Sequence, residues 1–519
     1  MENIRILWVD DEMEHLKPQL FFLEKKGFSV TTLTNGHDAL ALLEKDKFFD
    51  IIFLDESMPG ITGLETLKRI QNLGILTPIV MVTKNEAENI MEEAIGGQIA
   101  DYLIKPVNPN QLLLSVKKLT EHKRLIMEKN TQDYQQAFRQ LHMDIAANPT
   151  LNDWVKIYKE IIQWEMKMDT GGDPEIKDIL SNQKQEANNE FCKFVITNYQ
   201  KWFDGKTPQP LMSHTLLFEK VFKYVKEDQP SVFLLLDNLR YDQWRVIEPL
   251  ISEMFRIEEE DFFVSILPTT TQYSRNAIFS GMLPSEIEKI YPDWWLNDNE
   301  EGGKNLKEPE LLANQLKRVF RREIKHDYFK VTNSATGKNL LENSRNILKN
   351  DITVVVYNFI DMLSHARTEM EVLKELASDE KAYRSLTKSW FLHSPLYQFL
   401  QKIAEHKVQL FVGTDHGTVR VKDAIKVIGD RETTTNLRYK VGKNLQYDKK
   451  EILEIKDPSK VGLPRPNVSS TFIFAKSHSY ILYPNNYGYY LNYFKNTFQH
   501  GGISMEEMIC PIIRLSSKV

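Results

Sequence analysis

Residues 50–65, DIIFLDESMPGITGLE, decide the fold of the first part of the chain. A short apolar run ends in Asp55, a loop carrying Pro59 and Gly60 follows, and a helical pattern starts near Thr62. The same unit recurs on either side. IRILWVD (4–10), FSVTTLT (28–34), TPIVMVT (77–83) and ADYLIKP (100–106) read as further buried strands. Helical patterns begin near Met13, Gly36 and Glu86, and a last one follows Asn108. Five βα repeats predict a doubly wound parallel sheet with its functional groups at the strand C-termini. Four of those ends carry chemistry: Asp10 and Asp11 on the first strand, Asp55 on the third, Thr83 on the fourth, and Lys105 before Pro106 on the fifth.

Carboxylates converging from several strand ends repel one another unless a cation binds them, and a hard oxygen-ligated ion, Mg²⁺ most simply, meets that need. Lys105 would hold negative charge on an acceptor at Asp55, with a hydrogen bond from Thr83. A single acid at a strand end is usually a solvated loop residue; five matched positions argue against that reading. Over residues 1–120 the pattern resembles the receiver domain of bacterial two-component response regulators, with Met58, Pro59 and Gly63 placed as in the family's acceptor loop. The resemblance implies phosphorylation of Asp55, Mg²⁺ held by Asp10, Asp11 and Asp55, and Thr83, Tyr102 and Lys105 as the switch residues. A phosphoryl group adds roughly −1.5 to −2 charge, around which those residues can reorganise.

Residues 121–206 read as a three-helix connector. The pattern stays helical without Gly or Pro until Asn148-Pro149; a second helix starts at Thr150, and a break at 169–174 precedes a third running toward Phe203. Cys192 reads as a packed structural thiol, and no chemistry is visible in the segment.

The remainder, 207–519, is too long for a short helical DNA reader and begins again with strand-like runs. SVFLLLDNLRYD (231–242) ends its apolar run at Asp237, and SILPTTTQYSRNAIFSGMLPSE (265–286) reads as strand, Thr-rich turn and helix. ITVVVYNFIDMLSHA (352–366) reads as a buried strand delivering Asp361 and His365, and HKVQLFVGTDHGT (406–418) delivers Asp415 and His416. His500 lies in the Gly-rich turn of FQHGGISMEEMICP. Each of these side chains alone reads as a helix cap, a turn former or a satisfied core group. Together, at strand ends, they suit two divalent metals; nitrogen and carboxylate donors favour zinc or manganese. Two such ions can clamp an attacking and a leaving oxygen on phosphorus, and a threonine hydroxyl then becomes a usable nucleophile.

These residues resemble the alkaline phosphatase superfamily, and more narrowly its PglZ branch, making this an α/β alkaline-phosphatase-like domain. The interval from Thr271 to Gly281 is similar to the stretch following the nucleophile in the superfamily's phosphodiesterases. The resemblance implies Thr271 as nucleophile, one zinc held by Asp361, His365 and His500, and a second by Asp237, Asp415, His416 and Thr271. Ser364 stands where many relatives have Gly. Thr269 and Thr270 adjoin Thr271, and a Thr-rich turn is commonly structural. Arg275 and Asn276, one turn further on, read equally as phosphate contacts or as exposed salt-bridge formers. In RETTTNLRYKVGKN (431–444), Arg438 and Lys440 flank Tyr439 and could meet phosphates beside a stacked base, although a solvated loop is the favoured reading.

The succession of receiver, bundle and PglZ-type domain resembles response regulators of the type IX secretion system. It implies a partner histidine kinase, a phosphorylation-dependent homodimer, and contact with secretion-machinery or sigma-factor components. Composition adds only exclusions. With 66 basic and 72 acidic residues the net charge is −6, which gives no global attraction to nucleic acid or anionic membrane. Two cysteines make no disulfide framework, the apolar runs are too short for membrane insertion, and MENIRILWVDDE carries no export signal; a cytoplasmic protein is expected. The resulting expectation is a response regulator whose output domain is a two-metal phosphodiesterase acting on a nucleotide or a cyclic or linear oligonucleotide. The rival is a catalytically silent metal-binding adaptor that works through dimerisation and partner binding.

Overall fold

The computed structural model describes residues 4–46, 48–75, 77–84, 99–171, 173–227, 229–377, 379–429, 434–467 and 469–519. The chain forms two compact units, Met1–Gln135 with Gly171–Asp173, and Gln136–Thr170 with Pro174–Val519.

In the first unit β1 (Arg5–Val9), β2 (Ser29–Leu33), β3 (Ile51–Asp55), β4 (Ile79–Thr83) and β5 (Asp101–Ile104) form one sheet in the order β2-β1-β3-β4-β5. Every neighbouring pair is parallel. Alternate residues feed two separate cores: Leu7, Val9, Ile52 and Leu54 one, and Ile6, Trp8, Ile51 and Phe53 the other. Both faces are covered, so the strands read as unbroken apolar runs rather than as alternating ones. The helices α1 (Lys17–Lys25), α2 (Gly36–Lys45) and α3 (Gly63–Asn72) lie between strands as expected. Asn35 and Thr62 cap the last two by accepting from the N–H groups of Asp38 and Glu65. The helix expected near Glu86 falls outside the described residues. Gly63 is dictated by closeness, because a Cβ there would lie 2.3 Å from the carbonyl oxygen of Asp55.

The connector's helices are α4 (Pro109–Ala146), α5 (Leu151–Gly171) and α6 (Pro174–Asn198). α5 and α6 are built into the second unit. Lys184 Nζ lies 3.1 Å from Glu165 and 3.2 Å from Glu506, and Asn188 donates to Glu506 at 2.9 Å. Cys192 is buried, donates to Ile503 O and accepts from Ser477 N, and burial pushes its thiol up to about 12. An unreactive packed thiol follows.

The main sheet of the second unit contains β6 (Ser231–Leu236), β7 (Phe255–Val264), β8 (His326–Val331), β9 (Ile352–Tyr357), β10 (Gln409–Gly413) and β11 (Ile509–Ser517), in the order β7-β11-β10-β6-β9-β8. β10, β6, β9 and β8 run parallel, and β11 and β7 are antiparallel additions. Asp237, Asn358 and Thr414 therefore leave the sheet side by side, at the carboxyl ends of three adjacent strands.

Three expectations need correction here. The strand placed from Ser265 ends at Val264. The run 352–366 is a strand only to Tyr357; Asp361 and His365 sit on the following helix, Phe359–Glu369, one turn apart on the same face. The loop 431–444, outside 431–433, includes the strand Tyr439–Gly442, paired with Thr471–Ala475, and its Arg438 and Lys440 are buried rather than solvated. Among the described residues no helix is long and apolar enough to cross a membrane.

Candidate functional site

In the first unit Asp10, Asp11 and Asp55 offer carboxylate oxygens within 4.8 Å of one another. Asp10 and Asp55 are buried and Asp11 is exposed. Lys105 Nζ stands 2.7 Å from Asp10 Oδ2 and 3.0 Å from Asp55 Oδ2. Burial raises the Asp55 carboxyl above its ordinary range, with Asp10 adding to the rise and Lys105 opposing it. Burial also works against the Lys105 charge, but the two carboxylates outweigh it and lift the amine. Asp55 Oδ1 is buried with no hydrogen-bond partner, and one ammonium for three carboxylates leaves net negative charge that suits a hard cation. Thr83 is buried at the end of β4 and Tyr102 is half-buried on β5.

In the second unit the expected residues gather in two groups. Asp361, His365 and His500 form one, and Asp237, Asp415 and His416 the other, each with ligand atoms within 4.8 Å. The rings of His416 and His500 stack at 4.4 Å, which makes the groups neighbours. The Nδ1 atoms of His416 and His500 pair with the backbone carbonyls of Gly417 and Thr269, leaving each Nε2 turned inward. His365 is exposed and opens the site to solvent.

Charge is unbalanced in this cluster. Burial, with Asp237 beside it, pushes Asp361 up to about 6. The same two causes lift Asp415 well above the carboxylate range, and its Oδ2 is buried without a hydrogen-bond donor. Burial holds His416 below its usual value, and His500 further below, with His416 and His365 adding to the effect. Neutral imidazoles and cation-starved carboxylates are the forms that bind metal, so the residues fit two divalent ions with mixed nitrogen and oxygen ligands.

The three threonines divide their work. Thr269 Oγ1 donates to Gly502 O and accepts from Gly501 N, bracing the turn that holds His500. Thr270 is the N-cap of the helix Thr271–Ser280. Thr271 opens that helix with its Oγ1 3.2 Å from His416 Nε2 and 3.4 Å from Asp237 Oδ1. A helix N-terminus there favours an anion.

Two residues of the site had no reading in the sequence. Asn238, at a left-handed φ of 66°, donates its backbone N–H to Asp415 at 3.2 Å and its amide to Asp361 at 3.3 Å, tying the groups together. Its place directly after a strand-ending Asp was the available signal. Glu308 is buried and accepts from Arg275, Tyr328 and Lys330; nothing in its local sequence points to it. Gly417 is required by closeness, since a Cβ would lie 2.1 Å from Glu506 O.

The four residues read as phosphate contacts are otherwise engaged. Arg275 is buried between Asp237, at 2.7 Å, and Glu308, so it is neither exposed nor open to a substrate. Asn276 donates to Lys304 O at 3.0 Å. Arg438 is clamped by Glu507 at 2.6 Å and also donates to Ser479 O. Lys440 is buried against the Tyr483 ring.

Three known families match the chain in succession: a response regulator receiver domain over residues 6–117, a PorX response regulator linker domain over 124–203, and the BREX system PglZ alkaline phosphatase-like domain over 216–515. Fold and site thus define a two-component response regulator with an alkaline phosphatase-like output domain. The last match spans more than half of the 519 residues, and the chain belongs to the PglZ alkaline phosphatase-like family, in the receiver, linker and PglZ arrangement of PorX-type regulators.

The chain is 35% identical over 122 residues to the transcriptional regulatory protein ZraR of Salmonella typhimurium, covering 24% of this chain and 27% of that one. It is 36% identical over 121 residues to the alginate biosynthesis transcriptional regulatory protein AlgB of Pseudomonas aeruginosa, covering 23% and 27%. The chain thus spans about a quarter of the length of these curated relatives. Among solved structures, a CheY-like receiver domain protein of Methanospirillum hungatei is 28% identical and covers 23% of this chain and 96% of that one, with a TM-score of 0.23.

Proposed function

We propose that the protein is a phosphorylation-controlled response regulator whose output domain is a two-metal phosphodiesterase with Thr271 as nucleophile. The observation that carries this reading is the Thr271 hydroxyl lying 3.2 Å from His416 Nε2 and 3.4 Å from Asp237, beside both donor groups. Asp361, His365 and His500 would hold one zinc ion, with manganese as the substitute, and Asp237, Asp415, His416 and Thr271 the other. When bound, the two ions supply positive charge that favours ionisation of the hydroxyl and stabilises the leaving oxygen.

The chain's own residues do the rest. Thr271 Oγ attacks phosphorus as its proton passes to solvent, and the bond to the leaving oxygen breaks, that oxygen departing as an alkoxide or phenoxide free to take a proton from solvent; water later cleaves the Thr271 ester and restores the hydroxyl. The helix beginning at Thr271 orients the phosphate. Arg275 holds Asp237 in place from behind, and Asn238 sets the spacing of Asp361 and Asp415. A diester is favoured over a monoester because the neighbouring guanidinium of Arg275 is consumed by carboxylates, leaving little to hold a dianion. A nucleotide or a cyclic or linear oligonucleotide is the proposed substrate class.

On this reading residues 1–120 are the receiver, 121–206 the helical linker and 207–519 the output domain. Asp55 takes the phosphoryl group from a cognate histidine kinase, Mg²⁺ sits at Asp10, Asp11 and Asp55, and Thr83, Tyr102 and Lys105 read the change. Phosphorylation drives homodimerisation, and the protein acts in the cytoplasm to regulate type IX secretion through machinery or sigma-factor components.

The test is nitrophenolate release from bis-nitrophenyl phosphate by zinc-loaded protein, compared with Thr271→Ala. The expected result is zinc-dependent turnover, reduced at least about 1000-fold in the variant, with zinc still held by Asp237, Asp415 and His416. No release from folded, zinc-loaded wild type would leave a metal-binding adaptor as the better reading.

A further inference from the structure

Six cationic side chains are buried among the described residues: Lys184, Arg240, Arg275, Arg384, Arg438 and Lys440. Five of them have a carboxylate oxygen within 3.1 Å, supplied by Glu165, Asp242, Asp237, Asp242 and Glu507 in turn. Lys440 is the exception. It is 1% exposed, and among the described residues its amine has no ion pair and no hydrogen bond; it sits over the Tyr483 ring, 4.3 Å from centroid to Nζ. An amine held this way is expensive unless something else neutralises it.

Lys440 lines a cavity of about 620 Å³, within the usual range for small-molecule sites. Its walls include Leu437, Leu482, Tyr483, Tyr490 and Phe494. The Tyr483 hydroxyl donates to Thr434 O at 2.7 Å, which fixes the ring beneath Lys440. Tyr490 and Phe494, one turn apart on the helix Tyr487–Phe494, stack with centroids 5.8 Å apart, and both line the cavity. None of these residues belongs to either donor group of the metal cluster.

We infer that this cavity is a binding site for a small anion with a flat apolar body, its anionic group on Lys440 and its body against Tyr490 and Phe494. One cation selects a single carboxylate, sulfonate or phosphate-ester group, and aromatic walls select a planar body. Burial holds the amine down to about 7, and an anionic group beside it would raise it again.

The test uses the full chain and two fluorescent probes that share their rings, anilinonaphthalene sulfonate and its uncharged counterpart phenyl naphthylamine. Lys440→Met keeps the length and apolar stem of the side chain and removes the charge, so it should melt higher than wild type, and unfolding is then no explanation for lost binding. The expected result is sulfonate-probe affinity about tenfold weaker in Lys440→Met, with affinity for the uncharged probe unchanged. Tyr490→Ala should weaken both probes. Equal binding of the sulfonate probe by wild type and Lys440→Met would overturn the proposal, as would parallel losses for both probes in Lys440→Met.

Discussion

The acidic pocket of the receiver and the donor cluster of the output domain face the same electrostatic problem and meet it with different parts. In the receiver, three carboxylates share one built-in cation, Lys105, and the third acid, Asp11, reaches solvent. All of its donors are oxygens. Of the three carboxylates in the output cluster, Asp237 alone has a Lys or Arg against it among the described residues, Arg275, and that guanidinium is shared with Glu308. Asp415 relies on backbone N–H groups of Asn238 and His416, and Asp361 on the Asn238 amide. Three imidazoles complete the set. The difference separates two uses of a metal. A partly self-neutralised oxygen pocket can take and release a hard ion as its charge changes, whereas a buried cluster of mixed donors depends on resident ions.

The largest expected effect comes from removing the built-in cation on each side. Arg275→Met leaves buried Asp237 without its cation and Glu308 with only Lys330 and Tyr328, and should cost about 3–5 kcal/mol in urea unfolding of the metal-free protein, with less than half regained on adding zinc because Glu308 is not a ligand. Lys105→Met should cost less, about 1–3 kcal/mol, with part regained on adding Mg²⁺. Equal losses, both rescued by metal, would erase the distinction between the two sites.

A smaller effect tests metal dependence through pH. The carboxyl of Asp361 stands at about 6, above its unfolded value. Its contribution to the metal-free protein is therefore present below that unfolded value and lost as pH rises through about 6. Zinc, which needs the carboxylate, should accordingly stabilise the output domain more at pH 7.5 than at pH 5, by on the order of 2 kcal/mol. Thermal melts with zinc and with chelator at the two pH values read this directly. A zinc gain that is equal, or larger at the lower pH, would exclude Asp361 as a ligand.

The receiver was more legible in the sequence than the output domain, and the reason lies in burial. Strands covered on both faces, such as Ile51–Asp55, announce themselves as apolar runs. β7 and β8, the two edges of the larger sheet, do not: Phe255–Val264 carries four consecutive acids, and His326–Val331 mixes charged and apolar residues. The run at 352–366 fuses a strand with a helix, and only the four-residue spacing of Asp361 and His365 hints at the change. The metal-type residues were visible because each follows a buried strand or a tight turn. Their supports were not. Arg275 finds Glu308 33 residues away, and Arg438 finds Glu507 69 residues away, so only the fold turns these charges inward. Lys440 carries no sequence mark distinguishing it from the surface lysines nearby.

The central claim, that Thr271 is the nucleophile of a two-metal diesterase, is tested most directly by mass spectrometry of zinc-loaded protein quenched during turnover of bis-nitrophenyl phosphate. A nitrophenyl phosphoryl group is expected on Thr271 and none on metal-stripped protein. Sustained zinc-dependent turnover with Thr271 unmodified, and retained in Thr271→Ala, would contradict it.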